Sequence, residues 1–389
     1  MNIIAQMKHN SCTGCSACAQ VCPTHSISMV ADSEGFLYPQ IDALTCSDCS
    51  SCYAICPVVN SSNSDKPPRL PIRVLAAWHL DPQIRKASSS GGVFSAIAKK
   101  VLSNKGVVFG AAFDDTFCLR HTSIEDSEDL FKLRGSKYLQ SDINNTFMQV
   151  QSFLDCDRTV LFSGTPCQVA GLRSLLNQEC ANLITCDLVC AGVSSPKVFQ
   201  RYKRYLECKY GAPIKQISFR DKSRGWKQPS LCLTFQNGTA YSRRLYDDPY
   251  GIGFGSFLYH RFSCHECIFR NFMNEGDITL GDFWGVGTRK PDLDDDQGTS
   301  LVMINSQKGV DIFKECSDKL YFAECDLDHA LIGNPYLRSS PKPSSKRSSF
   351  FRDVEAMPFD SIIAKCMHKS LLRRVSRKII KTIKALTNN

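Results

Sequence analysis

No run of about eighteen apolar residues occurs anywhere in the chain, so no transmembrane helix is expected. The first residues, MNIIAQMKHNSCTGC, hold no apolar core of the kind a secretory signal needs. That lack bears on the 21 cysteines among 389 residues, which in an exported protein would imply a disulfide scaffold. The expectation is a reducing, cytoplasmic setting in which thiolates bind metal, with disulfides as the alternative. Hydrolase spacing is missing too: no serine, cysteine–histidine or paired-carboxylate arrangement stands out, and no catalytic residue is assigned. His121 and His265 titrate in the range of proton donors, but the plainer reading of each is structural.

Acids are absent from one segment. Residues 365–389 carry eight Lys or Arg and no Asp or Glu, which accounts for most of the net charge of +9. The rest is nearly neutral, so no nucleic-acid face is expected. On a helix starting at Leu371, the residues Leu371, Leu372, Val375, Ile379, Ile380, Ile383 and Leu386 fall on one half. Arg373, Arg374, Arg377, Lys378, Lys381 and Lys384 fall on the other. Such a helix suits peripheral attachment to an anionic membrane at its inner face, or docking to an acidic partner. A final helix packed on the body is the alternative.

What is present is a repeat. Cys12, Cys15, Cys18 and Cys22-Pro23 form C-x2-C-x2-C-x3-C-P, and Cys46, Cys49, Cys52 and Cys56-Pro57 form it again. This is the bacterial two-cluster ferredoxin pattern, in which the fourth cysteine of each run serves the other cluster. Cys12, Cys15, Cys18 and Cys56 would bind one [4Fe–4S] centre, and Cys46, Cys49, Cys52 and Cys22 the second. Zinc on four thiolates is the alternative, which two complete runs disfavour. A module of this kind moves single electrons, so it implies a small electron-carrier protein or a redox partner subunit.

Composition divides the chain into a ferredoxin domain (1–60), a polar Pro-containing linker (60–71), a body (72–337), a linker and packing segment (338–364) and the basic helix (365–389). In the body, 73–80, 106–113, 159–163 and 182–189 read as strands, the last three being short apolar runs. Val93, Phe94, Ile97, Val101 and Leu102 form a helical stripe, and Thr165-Pro166 starts another helix. Residues 231–245 read as a hairpin turning at Asn237-Gly238. The fold class expected is mixed α+β and α/β behind a two-cluster ferredoxin domain.

Four body segments carry possible chemistry. Ser88-Ser89-Ser90-Gly91-Gly92 before a helix suits a phosphate, or is a polar cap and turn. Arg134-Gly135-Ser136-Lys137-Tyr138 offers two cations and a ring, or is a solvated loop. Cys167 and Cys190 at strand ends, with the pair Cys264 and Cys267, would make a third four-thiolate site for a cluster or zinc. Buried small hydrophobes are the bland reading of each, and Cys186, mid-strand, is the weaker choice beside Cys190. Last, Gly276–Gly285 delivers Asp282 and Trp284 from a strand end, as ligand groups or as a structural turn.

The order SSSGG, GSKY, GTPCQ, LVC.G, C..C, DITLGDFWG over roughly 12–310 resembles the coenzyme F420 hydrogenase/dehydrogenase beta-subunit family with a fused ferredoxin domain. The resemblance implies a bound FAD with a nearby cluster. It puts the flavin at Ser88–Gly92 and Arg134–Tyr138, and the third [4Fe–4S] cluster on Cys167, Cys190, Cys264 and Cys267. It implies a flavin-binding body and an iron–sulfur flavoprotein oxidoreductase acting on an organic substrate or a deazaflavin. A non-catalytic electron-transfer subunit and a structural protein of a polysaccharide-related pathway are the alternatives. Where the family has histidine-glycine after the second body cysteine, this chain has Ala191-Gly192.

Overall fold

The structure, a computed structural model, describes residues 9–62, 70–272 and 275–367. Its strands run β1 (Ile27–Ala31), β2 (Leu37–Ile41), β3 (Arg73–His79), β4 (Val107–Phe113), β5 (Leu119–Ile124), β6 (Val160–Ser163) and β7 (Leu183–Leu188). They continue with β8 (Ile214–Asp221), β9 (Ser230–Phe235), β10 (Ala240–Arg244), β11 (Ile278–Asp282), β12 (Ser300–Ile304) and β13 (Leu320–Cys325). All four segments read as strands are β3, β4, β6 and β7.

The body is built on an eight-stranded sheet of order β13-β3-β12-β11-β7-β6-β4-β5. β4, β6, β7 and β11 run parallel, while β12 and β5 are antiparallel to their neighbours. Strands covered on both faces must be apolar throughout, and β12, Ser-Leu-Val-Met-Ile, is buried at every position. Helix Val93–Ser103 lays Ala96, Ile97 and Val101 on one face of the sheet. Helix Pro166–Leu176 begins with proline at its first turn, and the Gln168 side-chain oxygen accepts from the Thr165 N–H at 2.9 Å. β8, β9 and β10 form a separate antiparallel sheet. Its hairpin turns at Gly238, whose φ of 82° only glycine adopts readily.

The ferredoxin unit, with its β1–β2 hairpin, is seated on the body. Cys15 and Ala17 belong to the apolar cluster of Phe109, Phe147, Phe162, Val169 and Leu172. The Gln20 side-chain oxygen accepts from the N–H of Phe147 at 2.9 Å, at the start of helix Thr146–Asp155. Between the units, 63–69 lie outside the described residues.

The polar stretch 338–349 is packed rather than free. Ser340 Oγ accepts from Cys267 N at 3.1 Å, the Pro341 carbonyl faces His265 Nδ1 at 2.9 Å, and Arg347 pairs with Glu34 of the ferredoxin unit. Phe350, Phe359 and Ile362 then bury against helix Pro196–Tyr210 and the three-stranded sheet. Residues 359–367 are helical, with Cys366 and Met367 buried. The amphipathic helix expected beyond them falls outside the described residues. No helix among the described residues is long and apolar enough to cross a membrane.

Candidate functional site

Three cavities are each lined by four cysteines. Cys12, Cys15, Cys18 and Cys56 line the first, and Cys22, Cys46, Cys49 and Cys52 the second. These are the crossed sets that the double motif specifies. Cys167, Cys190, Cys264 and Cys267 line the third. Parallel pairing places Ser163 of β6 beside Cys186 of β7, so the loops that follow both strands open at the same edge of the sheet. Cys167 sits in the first turn after β6 and Cys190 just beyond β7. The carboxyl edge of parallel strands is where such folds bind ligands. Cys264 and Cys267 arrive on the turn Phe262–Glu266, and Gly192, at φ 125°, lets Cys264 and His260 approach. Cys186 stays in the hydrophobic core, away from this cavity.

Each cavity turns its four thiols toward one open space, about 370, 440 and 690 Å³ with the mouths included. Burial, and then the charges of Cys12 and Cys56, push the Cys15 thiol up to about 12. Burial, and then Cys190 and Cys267, push Cys264 up to about 12 as well. Crowded buried thiols ionise more readily beside a positive charge.

The second cavity is different. Cys49 is exposed, and burial, which acts against it at Cys22, is outweighed there by hydrogen bonds from Thr24 and Ser26 that lower the thiol. Ser51 Oγ lies 3.3 Å from Cys49 Sγ and lowers that thiol too. The neighbouring Leu44 is 96% exposed.

Thr13 lines both the first and the third cavity, so the Cys12–Cys15 loop itself borders the body site. Its carbonyl accepts from Gln140 Nε2 at 2.9 Å. Gly171 faces the same loop from its helix, and a Cβ there would lie 3.0 Å from Cys15 Sγ.

Ser88–Gly92 and Arg134–Tyr138 are brought together, Ser136 N donating to Ser89 Oγ at 2.7 Å. Gly135 has φ 87° and open space where a Cβ would point. Other details depart from the sequence reading. Ser88 and Ser90 donate their hydroxyls to the carbonyls of Ile84 and Thr299, both within 2.9 Å. Gly91 is required by sheet packing, since a Cβ would meet the Ala77 carbonyl at 2.3 Å. Lys137 Nζ donates to the carbonyls of Lys132, Leu133 and Arg134 at 2.9–3.0 Å. An ammonium has three donors, so this lysine caps the helix Leu130–Leu133 and has none left for a phosphate. Arg134 Nε donates to Ser95 Oγ at 3.0 Å.

Beside these loops lies a polar and aromatic group that sequence reading only half saw. Asp282, at the end of β11, accepts from Trp226 Nε1 at 2.7 Å and pairs with Arg220. Trp226 stacks on Trp284 with ring centres 4.6 Å apart. Arg220 Nη1 reaches the Tyr138 hydroxyl at 3.5 Å, while its Nε and Nη2 are buried without a hydrogen-bond partner. Lys222 Nζ donates to the Ser90 carbonyl at 2.9 Å. Asp282 and Trp284 were legible as a strand end. Arg220 and Trp226 were not, because nothing in their local sequence shows what they meet.

His121 is buried, 3.0 Å from both Ser141 Oγ and the Ser163 carbonyl, and burial lowers it to about 4. It is held neutral, as a structural histidine. His265 Nδ1 faces the Pro341 carbonyl, as described above.

Three family models match. The coenzyme F420 hydrogenase/dehydrogenase beta subunit N-terminal model covers residues 74–147, and its C-terminal model covers 157–330. A 4Fe-4S dicluster domain model covers 11–60. No curated protein matches the chain. Among solved structures, a chain of a xenon-derivatised F420-reducing [NiFe] hydrogenase complex from Methanosarcina barkeri is similar at 17% identity and TM-score 0.47. That match covers 79% of this chain and 95% of the other.

Proposed function

Since the chain belongs to the coenzyme F420 hydrogenase/dehydrogenase beta-subunit family and carries a 4Fe-4S dicluster domain, we propose that it is a flavin-dependent iron–sulfur oxidoreductase with a third cluster in its body. The observation that carries this reading is the series of three four-cysteine cavities, two of them sharing the Thr13 wall. When bound, clusters exchange single electrons and FAD exchanges pairs with an organic partner or a deazaflavin.

The protein's own residues divide the work. Exposed Cys49 and its neighbours make the second cavity the side from which a small electron-carrier protein would approach. The buried Cys12, Cys15 and Cys56, with half-buried Cys18, stand between that side and the body. Cys167, Cys190, Cys264 and Cys267 hold the body site at the strand ends. For FAD, the fit rests on Arg220, whose buried Nε and Nη2 lack partners, and on the Trp226–Trp284 stack next to Tyr138. An anionic ligand with a flat ring would satisfy that cation, and open Gly135 beside Ser89 would admit a pyrophosphate.

The test is flavin extraction from anaerobically purified protein, followed by reoxidation of the reduced protein against a 5-deazaflavin, nicotinamides and sugar-linked intermediates. One FAD per chain and oxidation by one member of the panel are expected. Full cluster content with no flavin would replace this reading by that of an electron-transfer subunit.

A further inference from the structure

Arg261 is an arginine of the body that enters the ferredoxin unit at a cluster loop. It lies three residues before Cys264 and is fully buried, at 0% exposure. Its Nε donates to the Cys12 carbonyl at 2.8 Å and its Nη2 to the Leu37 carbonyl at 3.0 Å. Nη1 donates to Gln140 Oε1 at 3.1 Å. The guanidinium lies 4.1 Å from the Tyr38 ring centre and 5.5 Å from that of Phe36. Gly14, between Cys12 and Cys15, is compelled by this contact, since a Cβ there would lie 2.7 Å from Nη1.

None of these partners is an anion, and among the described residues Arg261 has no carboxylate in ion-pair range. A guanidinium stays charged in a protein, and an unpaired charge in the interior is strongly disfavoured. Residues 9–62 contain no Lys or Arg, so the ferredoxin unit supplies no cation of its own. The anion this charge suits is a cluster carrying four thiolates, one of them on the residue whose carbonyl Arg261 holds.

We propose that Arg261 is a positioning residue that sets the reduction potential of the centre held by Cys12, Cys15, Cys18 and Cys56. Reduction adds one negative charge to a cluster, and burial without a cation would make that charge costly. The second centre meets the same demand through solvent and the hydroxyls of Thr24 and Ser51. The first is more deeply buried and, besides hydrogen bonds from Thr13 and the main chain, has Arg261. The charge keeps the buried centre able to accept an electron from the exposed one. Arg261 also lies close enough to Cys264 for its charge to lower that thiol, so the body site is followed in the same titration.

The test is an anaerobic redox titration of the full chain followed by electron paramagnetic resonance, with the second centre's signal identified by Cys49→Ser. In Arg261→Gln the first centre's potential should fall by at least tenfold in its one-electron equilibrium constant, about 59 mV, with the second centre unmoved. Arg261→Lys, which keeps the charge, should retain most of the potential. Gln140→Glu sets a carboxylate against the same guanidinium and should lower the potential with Arg261 in place. An unchanged potential in either Arg261→Gln or Gln140→Glu at full iron content would overturn the proposal. So would a fall in Arg261→Lys equal to that in Arg261→Gln.

Discussion

At the residue scale, Lys137 shows how the same side chain reads differently alone and in place. Its position between a glycine and an aromatic suggested a phosphate contact, but its ammonium closes three carbonyls at a helix end. Burial lowers this lysine to about 7, so desolvation offsets part of the gain from the three bonds. Lys137→Met should still lower the melting temperature, because it leaves carbonyls at the helix end without a partner, at about 1–3 kcal/mol for a buried one. Flavin retention should change little, as released-flavin fluorescence after dilution would report. His121 yields a second expectation. Its folded pKa, about 4, is depressed below the ordinary 6.5 by burial, so the unfolded chain binds the proton first as pH falls. Stability from this group is present above pH 6.5 and declines toward about pH 4. The slope is at most about 1.4 kcal/mol per pH unit. Urea titrations of wild type and His121→Asn across that window should diverge above pH 6 and converge below it. The cysteine sets were legible because their spacing itself dictates which thiols share a cavity. Arg261 was not, because its partners are main-chain carbonyls and an amide more than a hundred residues away in sequence.

At the element scale, β4, β6 and β7 were legible as short apolar runs because central strands are buried on both faces, and β3 as a strand beside them. The helix after Thr165-Pro166 and the hairpin at Asn237-Gly238 were legible from capping and turn chemistry. Strand order was not, since β12 inserts antiparallel between β11 and β3, and its pairing with β3 joins residues more than two hundred apart in sequence. Within the segment 338–364, expected to link and to pack, the serines, prolines and lysines of 338–349 look solvated, yet Ser340 and Pro341 hydrogen-bond the Cys264–Cys267 turn. Ser340→Ala removes the acceptor for Cys267 N and should loosen the third site. Iron analysis of that variant should show losses confined to the body centre, with the dicluster signals intact.

At the scale of the whole molecule, the ferredoxin unit and the body share an apolar core through Cys15, Ala17 and Phe147. The sequence suggested two separable domains joined by residues 60–71. The packing indicates that damage at Cys15 reaches the body, whereas damage at exposed Cys49 does not. Gly171→Leu, which drives a side chain into Cys15 Sγ, should lower both the melting temperature and the occupancy of the first centre. Cys49→Ser should cost only the second. Three centres in series fix the iron content of the chain, so iron and acid-labile sulfide counted per chain is the decisive measurement. Anaerobic wild type should hold about twelve irons and Cys264→Ser about eight. About eight irons in wild type, unchanged by Cys264→Ser, would contradict three centres.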